Sequence, residues 1–105
     1  MTLPKSLRIS AFDFRIEELS LAQMRAADRR GEFSNEEKVI RIFTGMHPHE
    51  LLETILHEIS HAIFACCHLA DEDHEERIVS AMSTGWTQVL RDNPALLKLM
   101  NEVVK

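Results

Sequence analysis

Thr54-Ile55-Leu56-His57-Glu58-Ile59-Ser60-His61-Ala62-Ile63 is the stretch from which the rest of the chain is read. Its centre is H-E-x-x-H. On an α-helix the i, i+4 spacing sets His57 and His61 one turn apart on the same face, so two imidazoles can point at one ion, most often zinc. Glu58 follows the first histidine directly, which places its carboxylate beside such an ion rather than on it, where it can take a proton from a water. Leu51, Leu52, Ile55, Ile59, Ala62, Ile63 and Phe64 surround these polar residues, so the segment is expected to be a largely buried helix. Buried ionisable groups need partners, and a metal supplies one.

Thr54 to Ile63 resembles the extended signature of the zincin metallopeptidases. It has Thr three residues before the first histidine, uncharged residues flanking the motif and between the histidines, and an apolar residue closing it. The resemblance implies a zinc site; the subfamily depends on the third ligand.

Composition sets the frame for that reading. A chain of 105 residues, 45% hydrophobic and 28% charged, is long enough for one domain with a modest core. A formal charge of -5 with Arg29-Arg30 as the only adjacent basic pair excludes a basic nucleic-acid footprint, so nucleic acid is not expected as a partner. The first eight residues, Met1 to Arg8, hold no apolar targeting core, and no apolar run is long enough to span a bilayer. The two cysteines are neighbours, Cys66-Cys67, which in a helix point about 100° apart and rarely bond to each other. A reduced, cytoplasmic protein with no membrane contact is the expectation.

Outward from the motif, residues 7–17 alternate apolar and polar in two registers, Leu7/Ile9 and then Phe12/Phe14/Ile16. The shift at Ser10-Ala11 predicts two short strands, or one strand with a bulge or turn. Ser20 is an expected N-cap for a helix from Leu21 to Arg30, stopped by Gly31. Gly31-Glu32-Phe33-Ser34, a polar turn over 35–38 and Val39-Ile40-Arg41-Ile42-Phe43 predict a hairpin. Pro48 opens the motif helix, with Glu50 and Glu53 near its positive end, and that helix is expected to reach about His68. A second long helix follows from about His74 to Arg91, with Ile78, Val79, Met82, Trp86, Val89 and Leu90 as its apolar stripe. Asn93-Pro94 caps a last helix from Ala95, with Leu96, Leu97, Met100 and Val103/Val104 inward. The fold class is therefore α+β: a small, mostly antiparallel sheet packed on the H-E-x-x-H helix and a second long helix, one zincin-like domain over residues 1–105.

A catalytic zinc usually takes three protein ligands and one water. The metzincin continuation H-x-x-G-x-x-H fails here, because its Gly and His positions hold Phe64 and Cys67. A Cys67 thiolate is the weaker source, since Cys is a common buried helix residue. In gluzincin-type metallopeptidases the third ligand is a glutamate from a downstream helix. Glu75-Glu76, which opens the second long helix, matches that arrangement, and Glu76 is favoured over Glu75 because it shares a side with Val79, Ser80 and Ser83. Asp73 and Glu76 also have the spacing of a capping box, which would serve the helix without any metal. Residues 7–94 as a whole are similar to small phage-encoded metallopeptidase-like proteins near the ImmA/IrrE-type and SprT-like zincins.

What the resemblance implies is one Zn2+ held by His57, His61 and Glu76, with Glu58 as general base and a protein or peptide as substrate. In zincins a strand beside the metal helix forms an edge on which substrate backbone lies, and Val39 to Phe43 is the expected edge; the other reading of this segment is a core strand. The chain contains no Tyr. The donor for an oxyanion would have to be a histidine such as His47, His68 or His74, or an arginine. The competing class is a non-catalytic, zinc-stabilised binding or regulatory protein that kept the scaffold. Glu58 argues for the enzyme, because a structural site needs no base there and closes with four protein ligands.

Overall fold

The structure is a computed structural model that describes residues 3–68 and 75–104, with the backbone alone at 75, 76, 79 and 80. Eight elements follow one another: strands β1 (Ser6–Ile9) and β2 (Phe12–Leu19), helix α1 (Leu21–Ala27), strands β3 (Gly31–Ser34) and β4 (Val39–Phe43), and helices α2 (Pro48–Cys66), α3 (Glu75–Asp92) and α4 (Pro94–Val104). The sheet order is β1-β2-β4-β3. Its two hairpin pairs are antiparallel, and β2 and β4, joined through α1 and β3, are parallel. This is an α+β domain whose sheet is mostly antiparallel and carries the three longer helices on one side.

The register shift at Ser10-Ala11 is a hairpin turn. Ile9 lies opposite Phe12, and Ser10 takes a left-handed φ of 57° to reverse the chain. Leu7, Ile9, Phe14, Ile40 and Ile42 point from the sheet into a core closed by Leu51, Ile55, Ile59, Ala62 and Ile63 of α2, Val89 of α3, and Leu96 and Leu99 of α4. The opposite face is charged. There Arg41 binds Glu17, Glu32 and Glu37 at 3.1, 3.4 and 2.6 Å.

Three expectations change. The first helix stops at Ala27, not Arg30, because Asp28 takes the left-handed conformation (φ 52°) and Arg29 N–H donates back to Met24 O; Gly31 is thereby released to begin β3. Val39–Phe43 is not an edge. It lies between β2 and β3, with Val39, Ile40 and Ile42 fully buried, and the edge beside the motif helix is β3. In α4 the buried residues are Leu96, Leu99 and Val103, spaced at i, i+3 and i+7, while Leu97 and Val104 are 46% and 68% exposed.

The second sheet edge is closed. Arg8 N–H donates to Asn93 Oδ1 at 2.8 Å and Arg8 O accepts from Asn93 Nδ2 at 2.9 Å, so one side chain from the α3–α4 junction pairs with β1 as a neighbouring strand would. Gln88 adds bonds to Arg8 O and Ser10 N–H at 3.0 and 2.7 Å. No helix among the described residues is long and apolar enough to cross a membrane.

Candidate metal centre

Helix α2 begins where the sequence places it. Pro48 occupies the first turn, and the ring of His47, the N-cap residue, accepts from His49 N–H at 3.2 Å. The β-branched and apolar residues of the motif face the sheet, and the two histidines face away from it. Both are exposed, so the expectation of a buried motif holds for Glu58, which is 7% exposed, and not for His57 or His61. The reason is helical phase: Glu58 sits between Ile55 and Ile59 on the sheet side, one residue round from the histidine face.

His57 Nε2 and His61 Nε2 lie 3.1 Å apart with their rings at 76°. Two nitrogens bound to one tetrahedral zinc at about 2.0–2.1 Å stand roughly 3.3–3.4 Å from each other. The two imidazoles therefore already converge as a pair of ligands would, and they fit two positions of such a site. Among the described residues no third His, Cys, Asp or Glu completes the group. Glu76, the predicted third ligand, and Glu75 lie on the first turn of α3 with side chains outside the described residues; Asp73 and His74 lie outside them entirely.

Glu58 has no hydrogen-bond partner among the described side chains, yet no buried polar side-chain atom in them lacks one, so its oxygens open onto a cleft. That cleft, about 320 Å³, is walled by Arg29, Phe33, His57 and His61. Burial pushes the Glu58 carboxyl above its ordinary range, and the His57, His61 and Arg29 charges pull it back.

Gly31 is the reason the sheet edge can lie this close. A Cβ there would stand 2.8 Å from Thr54 Cγ2 and 3.1 Å from Glu58 Oε2, so only glycine lets β3 rest on the motif helix at the carboxylate. Thr54 forms the other side of this contact, its hydroxyl bonded to Glu50 O at 2.8 Å. Phe43 N–H donates to Arg30 O, and Gly31 lies opposite Ile42. By antiparallel alternation, Glu32 and Ser34 bond to β4, while Gly31 and Phe33 turn their N–H and C=O groups to the open edge.

Of the other predicted contributors, Cys67 is exposed and lines a separate cavity of about 400 Å³ with Ile9, Ile63 and Gly85. His47 caps α2, and His68 follows its end at a left-handed φ of 53°; neither lines the clefts at His57 and Glu58. Arg29 and Gly31 do, and sequence reasoning missed both. The signal at hand was only the Arg29-Arg30 pair and a glycine three residues from a strand turn, neither of which tells which helix they meet. No protein-family model, curated protein or solved structure matches the chain.

Proposed function

We propose that this chain is a zinc-dependent metallopeptidase of zincin type. The observation that carries the reading is the buried Glu58, whose free carboxylate opens onto the same cleft as two imidazoles with Nε2 atoms 3.1 Å apart. His57 and His61 would hold the ion through Nε2, with Glu76 as the third ligand. A zinc there supplies Lewis-acid polarisation of a carbonyl and lowers the pKa of a water to about 7.

The chain's own groups do the rest. Glu58 accepts the proton of the attacking water on a carboxylate oxygen and delivers it to the leaving amine nitrogen. Burial raises its proton affinity, which favours holding the proton between its arrival from water and its delivery to the amine. The substrate backbone pairs with the open edge of β3 through the N–H and C=O groups of Gly31 and Phe33, which sets the scissile bond beside Glu58. Here β3 takes the role that the sequence assigned to Val39–Phe43.

Glu58→Gln tests the reading against a zinc-stabilised binding protein. The zinc-loaded wild type is incubated with a pool of unstructured peptides and cleavage is followed by mass spectrometry. Turnover is expected to fall roughly 10²- to 10⁴-fold in the variant, with one zinc per chain retained. Equal cleavage by Glu58→Gln removes Glu58 as the base. No cleavage by either protein, with zinc bound to both, favours the binding protein.

A further inference from the structure

A peptidase reaction places negative charge on the carbonyl oxygen under attack, and a fixed donor aimed at that charge is commonly the largest single contribution to the rate. With no Tyr in the chain, the donor is sought among the cations around Glu58. Two arginines line the neighbouring cleft of about 440 Å³ that holds His57 and Glu58. Arg30 is engaged, its guanidinium on Glu50 at 2.9 Å. Arg29 is different. It lines both this cleft and the one shared by Glu58, His57 and His61, and among the described residues no carboxylate pairs with it. Besides Glu58, the acid lining the second cleft is Glu32, which is bound to Arg41.

The backbone under Arg29 is held on both sides. Its own N–H returns to Met24 O at 3.3 Å through the left-handed turn at Asp28, and the next residue's carbonyl accepts from Phe43 N–H at 2.8 Å. Gly31 then rests on Thr54 and Glu58. A backbone clamped this way adds no ordering cost of its own when the side chain meets its target, and the guanidinium's planar fork matches an oxyanion better than an ammonium does.

Resting on the peptidase reading above, we infer that Arg29 is a catalytic residue of this site: its guanidinium donates hydrogen bonds to the oxygen that becomes negative as the scissile carbonyl turns tetrahedral. Glu58 and Arg29 then divide the work, one moving the proton and the other holding the charge.

The experiment uses the zinc-loaded full chain and two small probes, N-phosphoryl-leucinamide, whose tetrahedral anionic head imitates the reacting centre, and N-acetyl-leucinamide, which has a planar neutral one. Binding is measured by calorimetry for the wild type, Arg29→Ala and Arg29→Lys, with zinc content determined for each. Arg29→Ala is expected to weaken the phosphoryl probe about a hundredfold, Arg29→Lys by less, and neither to change N-acetyl-leucinamide binding or zinc content. Phosphoryl binding by Arg29→Ala within about twofold of wild type, or an equal loss for both probes, overturns the assignment while leaving the zinc site and Glu58 untouched. A wild-type chain that takes up no zinc removes the peptidase reading and this assignment together.

Discussion

Glu58 is the residue where burial and chemistry meet. It is 7% exposed on the sheet side of α2, and burial raises its carboxyl above the ordinary value of 4.5. For a group whose folded proton affinity exceeds the unfolded one, stability is fully present below the unfolded pKa and lost as pH rises through the folded one. The metal-free protein is therefore expected to lose stability relative to Glu58→Gln as pH is raised from 4 towards neutrality, with the two proteins nearest to each other at the acid end. Urea denaturation of both across that range checks the sign; a gap that stays constant with pH would show that the carboxyl is not destabilised by its site. The neighbouring residues supply the counterweight. His57, His61 and Arg29 each favour the ionised form, so a site that can hold and release a proton is built from local apolar packing on one side and three basic groups on the other.

At the scale of elements, the two edges of the sheet are treated oppositely. Sequence reading placed Asn93 as a cap for α4. Its backbone carbonyl does accept from Leu96 N–H at 3.0 Å, but its side chain turns away to bind Arg8 on both N–H and O and to donate to Val89 O at 2.7 Å. Asn93→Ala leaves the Arg8 N–H without its acceptor, while Arg8 O keeps Gln88, and is expected to cost about 1–3 kcal/mol. Urea unfolding measures the loss, and faster hydrogen exchange at the Arg8 amide locates it; an amide that stays as protected as in the wild type would mean that water or another group replaces Asn93. On the far side, no described strand pairs with the outer edge of β3, and α2 meets the strand through Gly31 rather than through a strand ladder.

In the whole molecule, α3 ties the motif helix to the sheet, and the tie depends on one close contact. A Cβ at Gly85 would fall 2.3 Å from Ile63 Cγ2, so α2 and α3 cross at a distance only glycine permits. Gly85→Ala is expected to destabilise by about 1–3 kcal/mol through overpacking. Removing the obstructing side chain as well, in Gly85→Ala/Ile63→Ala, should cost less than the sum of the two single changes in thermal denaturation, because the substitutions share one space. Additive losses would place the strain elsewhere. Much of this architecture was legible in the chain. The H-E-x-x-H helix, the strand segments over 7–17, the hairpin over 31–43, the three long helices and the pairing of His57 with His61 all follow from periods of 3.6 and 2 and from local caps and turns, which are properties of neighbouring residues. The end of α1 was misjudged because a left-handed Asp28 is a choice between local conformations that Asp tolerates but does not demand. Strand order was beyond such reading, since whether β3 or β4 lies at the edge is decided by which long-range pairing buries Val39, Ile40 and Ile42. The sequence by itself determined the motif helix and the spacing that pairs His57 with His61; only the tertiary structure decided that Gly31 lies on Glu58, that β3 rather than β4 is the outer strand, and that Arg29 lines the cleft with no carboxylate paired to it among the described residues, because each depends on segments far apart in the chain.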